Sequence, residues 1–236
     1  MKSLIQLEIL CLLVATPALA DPFPEPFIAQ YEAYKDGSLV GSTEMQLTKH
    51  GNRYQYRSKT ETAGAISWLI DDTVEEYSLF SVIDDAIRVE EYRYRRTGMK
   101  DRSAKLIFDW QKGEVANQVG NKPWRMEIPK GTLDKHIARL ALAHKLSNGS
   151  KTIAFKIADG GRLKTYRYTV IGEETLHTKL GDIKTLKVER RKGNNKKSRY
   201  TLWCAKQFDY LPVRIQKKNE KGESLIVDMV SLKNGQ

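Results

Sequence analysis

The chain is poor in cysteine, with two in 236 residues, Cys11 and Cys204. Cys11 falls in a leader expected to be removed, so Cys204 stands alone, an intrachain disulfide is excluded, and stability has to come from core burial. Cys204 lies in the apolar stretch Tyr200 to Ala205, a setting for a small buried hydrophobe rather than a reactive thiol. The sequence has no Cys-x-x-Cys, no Gly-x-Ser-x-Gly and no P-loop, and so no recognisable catalytic signature. Histidine is scarce as well. His136 and His144 are eight apart, not the four of a helical zinc pair, while His50 and His177 fall at turns. The acidic pairs Asp71-Asp72 and Asp84-Asp85 sit in turn-like settings without the partners that calcium binding or glycoside hydrolysis needs. No metal and no cofactor is expected. Long apolar runs, internal repeats and low-complexity tracts are missing too.

What is present begins with the leader. Lys2 supplies positive charge, Ile9 to Ala15 form a short apolar run, and Pro17 precedes Ala18 and Ala20, an A-x-A cleavage pattern before Asp21. Residues 1–20 are therefore expected to be a signal peptide cleaved after Ala20, residues 21–26 a Pro-rich leader, and residues 27–236 one β-rich domain. Glu8 and Pro17 interrupt the apolar stretch short of the roughly 20 residues a membrane anchor needs. Leu10 before Cys11 does not suit a lipidation signal. The formal charge of +11 is unchanged by losing the leader, which holds one Lys and one Glu. Such a balance favours anionic partners, lipid head groups or acidic glycans, and export argues against nucleic acid. A basic surface serving solubility alone accounts for the same charge.

From Phe27 onward, segments rich in Val, Ile, Tyr, Phe and Thr alternate with Gly, Asn and Asp turns, the spacing of antiparallel hairpins. Ala104, Leu106, Phe108 and Trp110 share one face, as do Ile153, Phe155 and Ile157, and Leu211, Val213 and Ile215. The pattern predicts an all-β fold with one helix: a strongly curved antiparallel meander of about ten to thirteen strands, barrel or half-barrel, with a two-sheet sandwich as the alternative. The helix is expected between Gly131 and Asn148-Gly149, with Thr132 as N-cap and Asp134 in its first turn. Ala63 to Ile70, with Trp68, reads equally as a short helical turn or an irregular crossover. Pro212, lacking an N–H, is expected at a sheet edge or at the end of pairing.

Two constellations are candidate sites. Arg190, Arg191, Lys192, Lys196, Lys197 and Arg199 flank Gly193-Asn194-Asn195, a hairpin tip able to touch an anionic surface, or simply a solvated turn. Tyr92, Tyr94, Tyr166, Tyr168, Trp203 and Tyr210 interleave with Arg93, Arg95, Arg167 and Arg214. Strand alternation sends the aromatics to one face and the cations to the other. Trp203, Tyr210, Arg214 and Arg167 are the candidate ligand contacts, and a packed interior with a basic exterior is the plainer reading.

Thr201-Leu202-Trp203, then Tyr210-Leu211-Pro212-Val213-Arg214-Ile215, resembles an exported bacterial family of unknown function, number 3108 (DUF3108-like). Phe27, Tyr31, Gly41, the mid-chain helix and Gly181 to Thr185 extend the likeness over most of Phe27 to Leu232. The resemblance implies a periplasmic β-sheet domain and no assigned catalytic residues. Together these readings point to a periplasmic, non-enzymatic protein binding an apolar or amphipathic anionic envelope ligand, lipid or glycolipid, or maintaining the envelope, with peripheral membrane contact at most. The alternatives are a scaffold docking an envelope protein partner through a basic surface and a hydrolase of envelope polymers.

Overall fold

The computed structural model describes residues 23–84, 86–120, 122–191 and 199–235. Alternating segments become strands β1 (Phe27–Lys35), β2 (Ser38–His50), β3 (Arg53–Thr62), β4 (Thr73–Ile83), β5 (Ala86–Thr97), β6 (Arg102–Asp109), β7 (Glu114–Val119) and β8 (Lys122–Glu127). After β9 (Leu133–Asp134) and helix α1 (Ala138–Ser147) come β10 (Thr152–Asp159), β11 (Arg162–Thr178), β12 (Gly181–Arg191), β13 (Arg199–Ala205), β14 (Leu211–Lys218) and β15 (Ser224–Asn234). Short turns make most of these pairings local. Asp36 and Gly37, for instance, hold φ of 50° and 80°, the two positive values a two-residue hairpin loop uses.

One sheet contains all fifteen strands, and its order follows the chain with a single displacement. It runs from β8 back to β1, crosses to β15, and continues down to β9. The first and last strands therefore pair in mid-sheet, with Phe27 opposite Asn234, and the break falls in mid-chain between β8 and β9. Every neighbour is antiparallel except β9, which runs parallel to β10 through Leu133 and Asp134. The sheet is not closed. Register shifts at Gln30/Tyr31, Ala33/Tyr34, Leu79/Phe80, Val170/Gly172 and Trp203/Cys204 bend it.

Fifteen strands exceed the expected ten to thirteen, because β8 opens on Lys122-Pro123 and β9 has two residues, neither giving a periodic signal. An edge strand tolerates Pro123, whose missing N–H interrupts nothing there. The helix starts at Ala138, later than expected. Thr132 does not cap it; its hydroxyl donates to the Pro129 carbonyl, and Asp134 accepts the backbone N–H groups of His136 (2.7 Å) and Ile137 (2.9 Å). Leu133 and Asp134 are thereby free to pair with β10. Pro212, the second residue of β14, falls at the end of pairing as expected: it lies opposite Cys204 where the register with β13 shifts, and the ladder with β15 stops at Arg214. Residues Gly64–Trp68 form a 3-10 turn, resolving the two readings of that segment.

The core follows the alternation. Ala29, Tyr31, Leu47, Tyr56, Phe80, Val89 and Leu106 are buried on the inner face, joined by Leu140, Ala141 and Ile137. Phe23, in the stretch read as a leader, packs on Tyr54 (5.2 Å) and Phe80 (5.4 Å). Leu142 and Leu146 meet a second cluster of Tyr168, Val188, Leu202, Cys204 and Ile215.

Candidate functional site

Inside the curved sheet, β9 and the residues after it bring polar groups against β4 and β5. Ser78 Oγ lies 3.1 Å from His136 Nδ1, and the His136 ring stacks on Tyr56 at 4.2 Å. Ser78, His136 and Asp134 are each at most 1% exposed. This is not a catalytic relay, since Asp134 holds backbone N–H groups rather than the imidazole and no substrate reaches the hydroxyl. Burial lowers His136 to about 3, keeping it neutral, and raises the Asp134 carboxyl to about 7 against the pull of its backbone donors. Burial works against the Glu76 charge too, yet the Lys135 and Arg139 charges and the Tyr92 hydroxyl hold that carboxyl down at about 2. Tyr92 donates to Glu76 at 2.7 Å, and Lys135 pairs with it at 3.0 Å.

Lys135 also stands over the Tyr94 ring at 4.4 Å, at the lip of a cleft of about 150 Å³ between the two ends of the sheet. Tyr92, Tyr94, Arg102, Lys135, Asp159 and Gly161 are among its walls. Asp159 accepts from Lys164 at 2.7 Å and from the Tyr166 hydroxyl at 3.0 Å. Tyr166 carries the polar track inward, for Arg190 lies 4.4 Å from its ring and 4.1 Å from that of Tyr200.

Arg139 completes this inner surface. In a helix, residues three and four apart share a face. Arg139 therefore sides with the fully buried Leu142 and Ala143, toward the cluster that Tyr166 and Tyr200 flank. Its charge acts on the hydroxyls of Tyr31, Tyr56 and Tyr168. Burial raises all three phenols, so they stay neutral donors. Tyr31 donates to the Pro212 carbonyl at 3.0 Å; among the described residues Tyr56 donates to the weak Met45 thioether at 3.1 Å. Glu76 is matched by Lys135 and Asp159 by Lys164, whereas among the described residues neither Arg139 nor Arg190 forms an ion pair.

The residues singled out from sequence scatter. Trp203, on the opposite face of β13 from Cys204, is 6% exposed; its Nε1 donates to Glu174 at 3.0 Å and Lys187 lies over its ring. Arg214, the register partner of Trp203, makes paired bonds of 2.6 and 2.8 Å to Asp228. Tyr210 borders a neighbouring hollow with Glu173, Glu174 and Thr185. Arg167 is exposed on β11, apart from these three. Of the basic run, Arg190 turns inward onto tyrosines and Arg199 is exposed on β13; residues 192–198, with Lys192, Lys196 and Lys197, and the Arg191 side chain lie outside the described residues. Aromatics and cations are sorted along β5 and β11, where Tyr92 and Tyr168 are buried and Arg93 and Arg167 exposed, but not across β13 and β14, where Arg214 shares a face with its register partner Trp203. Sequence reading passed over Arg139 and Lys135. The available signal was an arginine within Ile137 to Ala143, a segment otherwise apolar.

Among the described residues no group of His, Cys, Asp and Glu could hold a metal ion. Burial pushes the Cys204 thiol up, away from reactivity. No helix among the described residues is long and apolar enough to cross a membrane.

The family model described as a protein of unknown function (DUF3108) matches residues 30–230. No curated protein matches the sequence. A solved structure from Brucella abortus, titled a beta-barrel-like protein of domain of unknown function DUF1849, aligns at TM-score 0.59 with 10% identity, covering 91% of this chain and 99% of that one. At that identity the likeness concerns the fold alone. The Pseudomonas aeruginosa MucA/MucB complex aligns at TM-score 0.18 with 8% identity over 91% and 95% of the two chains, and carries no argument.

Proposed function

Because the chain belongs to the DUF3108 family, whose description assigns no activity, its own residues have to carry the reading, and we propose an exported, periplasmic, non-enzymatic protein that holds an amphipathic anion on the inner face of its curved sheet. The observation behind it is the pair Arg139 and Arg190. Two guanidinium groups stay charged at any physiological pH. Among the described residues neither has a carboxylate at ion-pair distance, Glu76 acting on Arg139 only from farther off, and a bound oxyanion would complete their pairing through bidentate bonds. Tyrosine hydroxyls around Arg139 add neutral donors, and Leu142, Leu146, Val188 and Leu202 form the packed apolar cluster beside them, which a tail would have to part.

The ligand class is a carboxylate or phosphate head group on an aliphatic tail, the chemistry of envelope lipids. Displacement of the neutral probe N-phenyl-1-naphthylamine by myristate and by dodecyl phosphate tests it, with inorganic phosphate as the tail-free control. Displacement by either amphiphile, weakened roughly tenfold in the double variant Arg139→Gln, Arg190→Gln, is the expected result. No probe binding by the parent protein would overturn the reading. Native mass spectrometry of protein taken from periplasm would identify the lipid; a co-purifying protein partner in its place would favour the scaffold alternative.

A further inference from the structure

The segment from Ala63 to Ile70 carries no charged residue. It ends in the most exposed large apolar side chains among the described residues, Trp68 at 91% and Leu69 at 85%. Met99, 72% exposed, comes from the β5–β6 turn at the same end of the sheet. The two loops are tied: the Met99 N–H donates to Asp72 Oδ1 at 3.0 Å, and a Cβ on Gly98 would meet the Asp71 carbonyl at 2.2 Å.

The tip is built rather than loose. Leu69 and Ile70 N–H groups both donate to the Ile66 carbonyl at 3.0 Å, and Ser67 Oγ donates to Gly64 O at 2.8 Å. Ala63 N–H donates to Val40 O at 3.2 Å, and Gly64 sits so near Leu39 that a Cβ would come within 2.3 Å of its carbonyl oxygen. A side chain at position 64 would push the turn off β2, so glycine there keeps the tip braced on the sheet. Ordered display of tryptophan and leucine to water is unfavourable, and burial elsewhere offsets it.

We propose that Trp68, Leu69 and Met99 dock the protein on a lipid bilayer surface. Three side chains are far too small a patch for a stable protein interface, which buries about 800 Å² per partner. They suit shallow insertion to a depth of about 5–10 Å at the head-group boundary, where tryptophan is favoured. Lys100 and Arg102 are exposed in the same turn as Met99, but Asp101 between them and Asp71 on the neighbouring loop are exposed as well, so the attraction to an anionic leaflet is that of the whole chain, with its net charge of +11. This docking goes beyond the ligand reading and does not depend on it.

The test is co-sedimentation with vesicles of phosphatidylethanolamine and phosphatidylglycerol, followed by tryptophan quenching with brominated lipid. The parent should sediment with the vesicles and be quenched. Trp68→Ser with Leu69→Ser should lose roughly tenfold in vesicle affinity and most of the quenching. Met99→Ser should show a smaller loss of its own. All three positions are solvent-exposed, so unchanged melting is expected and separates lost binding from lost folding. A parent that stays in the supernatant, variants that sediment as the parent does, or a parent dimer that the serine variants dissociate would each overturn the proposal.

Discussion

Trp124, on edge strand β8, covers Gly161 at the β10–β11 turn so closely that a Cβ there would stand 1.9 Å from the indole ring. The two ends of the open sheet thus meet through a side chain over a glycine, where a closed barrel would have ladder hydrogen bonds. Gly161 also holds φ of 72°, so its lack of a side chain serves both conformation and contact.

A double-mutant cycle separates those two roles. Gly161→Ala alone should destabilise by about 2–4 kcal/mol, combining left-handed strain with the displaced indole. In a Trp124→Ala background only the strain, about 1–2 kcal/mol, should remain. Chemical denaturation of the four proteins checks this; equal costs in both backgrounds would mean that the seam contact contributes nothing.

Trp203 is nearly as buried as the aliphatic core, and its indole N–H holds Glu174. Trp203→Ala should cost about 3–5 kcal/mol. Trp203→Phe, keeping most of the volume, should cost less. A Trp203→Ala protein that melts like the parent but no longer retains ligand would place Trp203 in a binding site instead.

Stability should carry a pH signature from Asp134. Its folded-state pKa, about 7, lies above the usual 3.8 for an unfolded aspartate, so the folded state favours the protonated carboxyl. The associated stability is fully present below the unfolded value and is lost as pH rises through 7. Over that window the loss is at most roughly 4 kcal/mol. Glu76, held near 2, and neutral His136, near 3, act the other way, losing stability as pH falls. Asp134→Asn keeps an oxygen for the His136 and Ile137 N–H groups. Its unfolding free energy should therefore fall less than the parent's between about pH 4 and 7. Parallel curves for the two proteins would show that Asp134 does not titrate there.

The thiol and the leader give two direct measurements. Cys204 should be inert to a disulfide exchange reagent in the native protein and react once denatured, because its sulfur is enclosed and its thiolate disfavoured. Protein recovered from periplasm should begin at Asp21; N-terminal sequencing that returns Met1 would remove the basis for export.

How much was legible divides along physical lines. Period-two alternation exposes one-face burial directly, so Leu106 and Phe108, and Ile153 and Ile157, fall on the core side as their spacing predicts; Leu211 and Ile215 are buried too, but the register shift opposite Trp203 and Cys204 sets them on opposite faces, which spacing alone does not show. Turn glycines and aspartates mark most hairpins because positive φ restricts residue choice. β8 and β9 escaped because edge strands and two-residue bridges need no pattern. Helix α1 was found but its start was misplaced, since Asp134 caps through a loop rather than from the N-cap position.

By itself, then, the sequence determined that this is a hairpin meander with an apolar face, one helix, an apolar setting for Cys204 and a basic composition, because each is a consequence of local periodicity or composition. Only the tertiary structure decided that β1 joins β15, that the break lies between β8 and β9, and that the charges of Arg139 and Arg190 both act on Tyr168. Those outcomes depend on how far a fifteen-stranded sheet bends and where its ends arrive. Twist and bulges accumulate over many strands, and no local window of residues contains their sum.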